Sequence, residues 1–170
     1  PKATTPAQYV LILIDLVESQ GHDRQTLLRG TTLAETGISG IGARVSENDF
    51  AQLVRTAFEL TGDPALGLHL GMRLNMSAHA VLGQAIMTCK DLHQVMELFL
   101  KYYHLVSPAL YLEFEVVGKE AVFTIVSTPE ENPIDFAYEM MFAAFLNTVR
   151  GLLGQEQMTL NVEFPYPAPA

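Results

Sequence analysis

Apolar residues recur three and four positions apart through the first half of the chain, the spacing that places side chains on one face of a helix. This pattern predicts a helix over residues 7–19 and a short helix from about Asp23 to Arg29. A third helix is predicted over residues 47–60, with Ser46 as its N-cap and Asp49 where the acid of a capping box lies. The first half of the chain is therefore expected to be helical.

Two further helices are predicted from their start signals. Asp63 can cap a helix and Pro64 suits its first position, which predicts a short helix over Leu66–Leu74. Thr88 is the expected N-cap of a longer helix over residues 89–105. The apolar side chains of that helix fall on one face: Leu92, Val95, Met96, Phe99, Leu100 and Tyr103.

Strict alternation of apolar and polar side chains replaces the helical spacing after Pro108. Residues 110–116 alternate as a half-buried strand does, and residues 121–127 return as a second strand. Gly118 and Lys119 lie between them as a two-residue turn. The pattern therefore predicts an antiparallel hairpin.

A long helix and a third strand complete the predicted elements. Asn132 is the expected cap and Pro133 the first residue of a helix that runs to about Leu153. Thr159 to Phe164 are predicted to form a strand. The fold class expected is α+β, with a helical N-terminal half followed by a β-β-α-β unit that has a small, mainly antiparallel sheet.

Composition favours one packed domain over residues 1–170. The chain of 170 residues is 49% hydrophobic and 17% charged, which argues against disorder. Its net charge of −9 should repel a phosphate backbone, so we do not expect this chain to bind nucleic acid by itself. No apolar run is long enough to span a membrane.

Features of the two ends and the single cysteine indicate a compartment. Cys89 cannot form an internal disulfide and no secretory leader opens the chain, so a reducing cytoplasm is expected. The chain begins at Pro1 and ends in a proline-interrupted segment. We therefore expect a part of a longer protein.

Candidate chemistry is sparse. The glycines between Gly37 and Gly42 lack the preceding strand and the lysine of a phosphate-binding loop. Cys89 and His93 are four apart on one predicted helix, a spacing open to a metal pair or a reactive thiol, but no other histidine completes a zinc site. A structural thiol is the favoured interpretation, and no enzyme activity, metal or cofactor is expected.

The long helix carries a second apolar ridge beside its main apolar face. The ridge consists of Tyr138, Phe142, Leu146 and Val149. One interpretation is that both faces belong to the core; the other is that the ridge contacts a second subunit or a missing domain. A homodimer through this ridge is thus one prediction of the sequence.

Three segments resemble a known family. The run from Thr61 to Gly71 reads TGDPALGLHLG, His79 to Met87 reads HAVLGQAIM, and the helix from Leu92 to Tyr103 follows. They resemble the N-terminal regulatory domains of one subgroup of AraC-type transcription regulators, although Ala80 stands where that subgroup often has glycine. The resemblance implies a sensor and oligomerisation domain that precedes a C-terminal helix-turn-helix DNA-binding domain, and a small-molecule effector.

Effector residues are predicted from spacing, because the resemblance supplies none. His69 and Arg73 lie one turn apart on one helix face, with His79 near them in sequence. Tyr103 and His104 could reach a cavity between the same elements. Arg73 would anchor an anionic group; the alternative is that His69 and Arg73 lie at a solvated helix edge. A stand-alone small-molecule binding or interaction module is the other functional interpretation.

Overall fold

A computed structural model describes residues 3–38, 42–74, 81–106, 110–127, 135–154 and 161–167 of the protein. The described elements confirm an α+β fold. In chain order they are β1 (Ala3–Pro6), α1 (Ala7–Ser19), α2 (Arg24–Leu28), α3 (Leu33–Thr36), β2 (Arg44–Ser46), α4 (Glu47–Thr61), α5 (Leu66–Arg73), α6 (Val81–Ile86), α7 (Leu92–Val106), β3 (Leu110–Val117), β4 (Glu120–Ser127) and α8 (Asp135–Leu153).

Capping residues explain why the early helices match their predicted bounds. The Asp23 carboxylate accepts a hydrogen bond from the backbone N–H of Thr26 (2.9 Å) at the start of α2. The Ser46 hydroxyl accepts one from the N–H of Asp49 (3.1 Å) at the start of α4. Gly62 ends α4 in the left-handed conformation, with φ of 61°.

The predicted cap of α5 is wrong, although α5 begins at Leu66 as predicted, and the predicted start of α7 is wrong by three residues. Asp63 is not the N-cap of α5, because its carboxylate instead accepts from the N–H of Ala65 (2.9 Å) in a turn before the helix. The start of α7 is at Leu92, where Asp91 accepts from the N–H of Gln94 (2.9 Å). Thr88 donates its hydroxyl to the Ala85 carbonyl (2.7 Å) and so lies at the end of α6.

The predicted hairpin is confirmed, and a second small sheet accompanies it. β3 and β4 pair antiparallel from Leu110↔Ser127 to Val117↔Glu120. β1 and β2 form an antiparallel pair near the N-terminus that the sequence pattern did not predict. Each of those strands is too short, at four and three residues, to show an alternating pattern.

The predicted third strand is not found where the structure describes it. Residues 161–164 are not paired as a strand, and Thr159 and Leu160 lie outside the described residues. Phe164 instead packs edge-on against Phe142 of α8, with ring centroids 5.6 Å apart. Pro165 and Pro167 follow at once and lack the N–H that a strand would donate. The start of α8 predicted at Asn132 and Pro133 also lies outside the described residues.

Two apolar clusters form the core of the described residues. The first joins α1, α4, α5 and α8, and includes the fully covered side chains of Leu13, Leu53, Leu66 and Leu70. In the second, α6, α7 and α8 pack beneath the β3–β4 hairpin through Ile86, Val95, Phe99 and Met141. No described helix has the length and apolar character needed to cross a membrane.

The glycines of the TGDPALGLHLG run bring α5 against α8. A Cβ atom at Gly67 would lie 2.7 Å from the Phe136 carbonyl oxygen, and one at Gly71 would meet the Met140 carbonyl oxygen even more closely. The side-chain amide of Asn147 then donates to the Leu74 carbonyl (2.8 Å) at the end of α5. The two backbones are thus in contact, and the opposite face of α5 is directed away from α8.

Candidate functional site

The predicted pair His69 and Arg73 lies on the outer face of α5, because Leu66, Gly67, Leu70 and Gly71 take the buried face. His69 Nδ1 is 2.6 Å from a carboxylate oxygen of Asp63. Arg73 donates to the Ser19 hydroxyl (3.0 Å) at the end of α1. The two side chains are exposed, and each already has a protein partner.

Asp63 is the centre of this arrangement. Its side chain is only 12% exposed and accepts hydrogen bonds from His69, the Ala65 N–H and the Gln20 amide (3.4 Å). Burial alone raises the pKa of the Asp63 carboxyl, but these hydrogen bonds outweigh it and the net pKa is lowered. The group therefore provides a fixed negative charge close to His69.

A second acid, Glu139, lies on α8 near the start of α5. It is 9% exposed, and burial raises the pKa of its carboxyl, with the charges of Asp135 and Asp63 adding to the effect. The Tyr166 hydroxyl acts in the opposite direction when it donates to Glu139 Oε1 (3.4 Å); its other acceptor within reach is the Asp135 carbonyl oxygen (3.3 Å). Burial also raises the pKa of the Tyr166 hydroxyl itself. No spacing pattern indicates this pair, because its members are 27 positions apart in the chain.

The remaining predicted effector residues are not joined to this group by the described structure. His79 lies outside the described residues. Tyr103 and His104 belong to α7, but the structure does not describe where their side chains lie. His69 and Arg73 are therefore brought onto one face, whereas a cavity shared by all five residues stays a prediction.

A cleft of about 270 Å³ lies between α3, β2 and the start of α4. Arg44 and Asp49 are on its walls, together with apolar side chains such as Leu33 and Val45. Thr32 donates its N–H (2.9 Å) and hydroxyl (2.8 Å) to the Asp49 carboxylate, which also accepts from the Ser46 hydroxyl (2.8 Å).

Although burial raises the pKa of the Asp49 carboxyl, these hydrogen bonds lower it overall. The cleft thus presents an ionised acid and a guanidinium. Asp49 is predicted from the sequence as a capping residue, but the cleft is not, since β2 and α3 have no sequence signal that predicts them.

The predicted oligomer ridge lies in α8 and is partly covered within the chain. Val149 is 1% exposed, and Tyr138, Phe142 and Leu146 are half-buried. The ring of Phe142 lies 6.3 Å from that of Phe123 and 5.6 Å from that of Phe164. A subunit contact through this ridge stays a prediction.

Cys89 and His93 are not on one helix, which corrects the prediction that paired them. Cys89 is half-buried before α7, with its thiol 3.7 Å from the Ala85 carbonyl oxygen. His93 is exposed within α7 and lies 3.4 Å from Glu97. The later start of α7, set by Asp91, leaves Cys89 outside the helix that contains His93.

Comparison with known proteins identifies the family. Residues 21–170 match the family described as the arabinose-binding domain of AraC transcription regulator, N-term. The chain belongs to this family. The AraC resemblance of the TGDPALGLHLG run is therefore confirmed, as is the expectation that the chain is not an enzyme, because the family consists of ligand-binding domains of transcription regulators.

This AraC-type domain also has a curated relative. It is 35% identical over 166 residues to the Ornithine utilization regulator of Pseudomonas aeruginosa. The match covers 97% of the chain and 49% of the relative, so the chain spans about half the length of the protein it matches.

Proposed function

We propose that the chain is the effector-sensing domain of an AraC-type transcription regulator and that the binding of a small molecule to it controls promoter activity. The observation that carries the proposal is the family match over residues 21–170, whose description names a ligand-binding domain. The single domain of residues 1–170 acts in the cytoplasm, self-associates as a homodimer and contacts DNA only through a helix-turn-helix part of the longer regulator. The net charge of −9 supports that division of labour.

The effector is proposed to be a small polar metabolite with an anionic group. The relative's name supports an amino acid as the first class to test. A carboxylate binds most strongly to a guanidinium that offers a fork of N–H donors. Arg73, beside His69 on α5, is the anchor that the sequence predicts, with His79, Tyr103 and His104 as further contacts. Arg44 in the cleft is the competing anchor.

A thermal-shift screen tests the sensing function. The panel contains L-ornithine, other basic, acidic and neutral amino acids, and L-arabinose. A ligand at 100 times its dissociation constant stabilises the folded state by about 2.7 kcal/mol, which raises the melting temperature by several degrees. A panel that leaves the melting temperature unchanged at millimolar concentrations contradicts an amino acid or pentose effector.

Calorimetry with the effector found in that screen decides between the two anchors. Arg73→Ala should weaken binding by about 1.5–3 kcal/mol if Arg73 holds the anionic group, whereas Arg44→Ala should have little effect. Arg55→Ala is the control, because Arg55 is exposed on α4 and hydrogen-bonds only locally, to Gln52 (3.0 Å). The opposite result, loss with Arg44→Ala alone, moves the site to the cleft.

A further inference from the structure

The β3–β4 hairpin has two open edges among the described residues. Its strands pair with each other and with no other described strand. Open edges offer unpaired N–H and C=O groups to another strand, and a two-stranded sheet gains stability when further strands are added. The hairpin is therefore a surface to which a strand can be added.

The outer face of this hairpin carries exposed apolar side chains as well as the acids Glu113, Glu115 and Glu120. Tyr111 is 54% exposed, Val117 56%, Val122 36% and Val126 38%. The opposite face is directed to the core, where Leu112, Phe123 and Ile125 pack against the second apolar cluster. The outer face thus leaves apolar side chains from both strands in contact with solvent.

The residues of β4 whose backbone N–H and C=O groups point away from β3 are the ones that can pair with a further strand. Val117↔Glu120 flanks the two-residue turn and is a hydrogen-bonded pair, so every second residue from Glu120 directs its backbone to β3. The intervening residues, Ala121, Phe123 and Ile125, direct their N–H and C=O groups to the open edge. β4 therefore has three consecutive outward-directed positions for a new ladder.

The charges on β3 and β4 differ, and they favour β4 as the strand that pairs with the same strand of a second copy. A strand that pairs with itself across a two-fold axis places residues of the same face opposite one another. On β3 a register centred on residue 113 places Glu113 opposite Glu113, and one centred on residue 115 places Glu115 opposite Glu115. A register centred on residue 114 places Glu113 opposite Glu115. Like charges opposite one another destabilise a sheet. On β4 the charged outer position, Glu120, lies beside the turn, and the outer positions Val122, Thr124 and Val126 carry no charge.

We propose that β4 pairs antiparallel with β4 of a second copy of this chain, with Thr124 on the two-fold axis. In this register Val122 of each copy lies opposite Val126 of the other, and the two Thr124 side chains face each other. The result is a continuous four-stranded antiparallel sheet. The proposal rests on the proposed self-association and gives it an interface other than the α8 ridge, where Phe142 already packs on Phe123 and Phe164.

Disulfide trapping tests this register without a disruptive substitution. Cys89 is first replaced by serine, and Thr124→Cys is introduced into that background. The pair on the axis is a non-hydrogen-bonded pair with its Cα atoms about 4.5 Å apart, a separation that a disulfide spans. Under an oxidising glutathione buffer most of the Thr124→Cys protein should form a covalent dimer on a non-reducing gel, whereas Glu115→Cys on β3 should stay monomeric.

Light scattering supplies the complementary measurement. The unmodified chain should have the mass of a dimer, and Thr124→Lys should halve that mass because two ammonium groups would face each other. A monomeric unmodified chain overturns both the self-association and this interface. A dimer whose mass is unchanged by Thr124→Lys, in a protein that keeps its circular dichroism spectrum, overturns the interface and leaves the self-association standing.

Discussion

Two carboxyl groups in one neighbourhood have pKa values shifted in opposite directions, although burial raises the pKa of both. Asp63 has three hydrogen-bond donors around its carboxylate, so its pKa is lowered despite burial. Burial raises the pKa of Glu139, its acidic neighbours add to the effect, and its one long hydrogen bond, from Tyr166 (3.4 Å), does not offset them. The number of donors, and not burial alone, decides the sign of each shift.

Acid titration should reveal the contribution of Asp63. Its pKa in the folded chain lies below the ordinary value of 3.8, so it stabilises the fold above that value and the stabilisation is lost as pH falls through the folded pKa. Urea denaturation between pH 5 and pH 2 should therefore show a shallower loss of stability for Asp63→Asn than for the unmodified chain. Asp15→Asn, on an exposed position of α1, is the control. Equal slopes for Asp63→Asn and the unmodified chain contradict the prediction.

Glu139 should give the opposite pH dependence. Its pKa in the folded chain lies above the ordinary value of 4.5, so its contribution is favourable at low pH and is lost as pH rises through the folded pKa. Glu139→Gln cannot ionise and should be more stable than the unmodified chain at pH 7, with the difference shrinking towards pH 4. Thermal melts across that range measure it, and Glu18→Gln on α1 is the exposed control. A variant that is less stable by the same amount at both pH values refutes this account.

At the level of residues, the sequence predicted local partners and missed distant ones. The caps made by Asp23 and Ser46 each join positions three apart; Ser46 was predicted as a cap, and Asp23 was predicted as the start of the helix that it caps. The bonds from Thr32 to Asp49 span 17 positions and follow from tertiary packing of α3 against α4. Spacing along one chain carries no information about such contacts, which is why the cleft was missed.

At the level of elements, the contact between α5 and α8 gives the TGDPALGLHLG run its structural meaning. Gly67 and Gly71 are one turn apart, and either position would bring a Cβ atom into the backbone of α8. This run is recognisable in the sequence as a family signature, but its glycines could not be assigned to packing because α8 lies about 70 positions further along the chain. The hairpin was predicted correctly since its pairing is local.

Substitution of the two helical glycines should separate packing from helix propensity. An alanine at Gly71 must displace α8, because its Cβ atom would approach the Met140 carbonyl oxygen and lie 2.6 Å from Ala143 Cβ. Gly71→Ala should therefore cost about 1–3 kcal/mol of unfolding free energy. Gly151→Ala is the matched control within α8, where a Cβ atom meets nothing within 4 Å, and it should gain up to about 1 kcal/mol. Chemical denaturation followed by circular dichroism measures both; a neutral Gly71→Ala contradicts the close contact.

At the level of the whole molecule, charge and family point to a division between sensing and DNA binding. The chain carries 19 acidic and 10 basic side chains, and it spans 49% of its regulator relative. DNA binding depends mainly on lysine and arginine side chains that neutralise phosphates. An excess of nine negative charges on the domain opposes its approach to DNA, and under the proposed function a basic part elsewhere in the longer regulator offsets that repulsion.

The 170-residue chain should therefore fail to shift promoter DNA at submicromolar concentration and physiological salt. A mobility-shift assay measures this, with the full-length regulator on the same DNA as the positive control. Lowering the salt strengthens phosphate contacts made by a basic protein but equally strengthens repulsion of an acidic one, so the chain should remain unbound at 50 mM salt as well. A sequence-selective shift by the chain alone would contradict the prediction, because it would require base contacts strong enough to outweigh a net charge of the wrong sign.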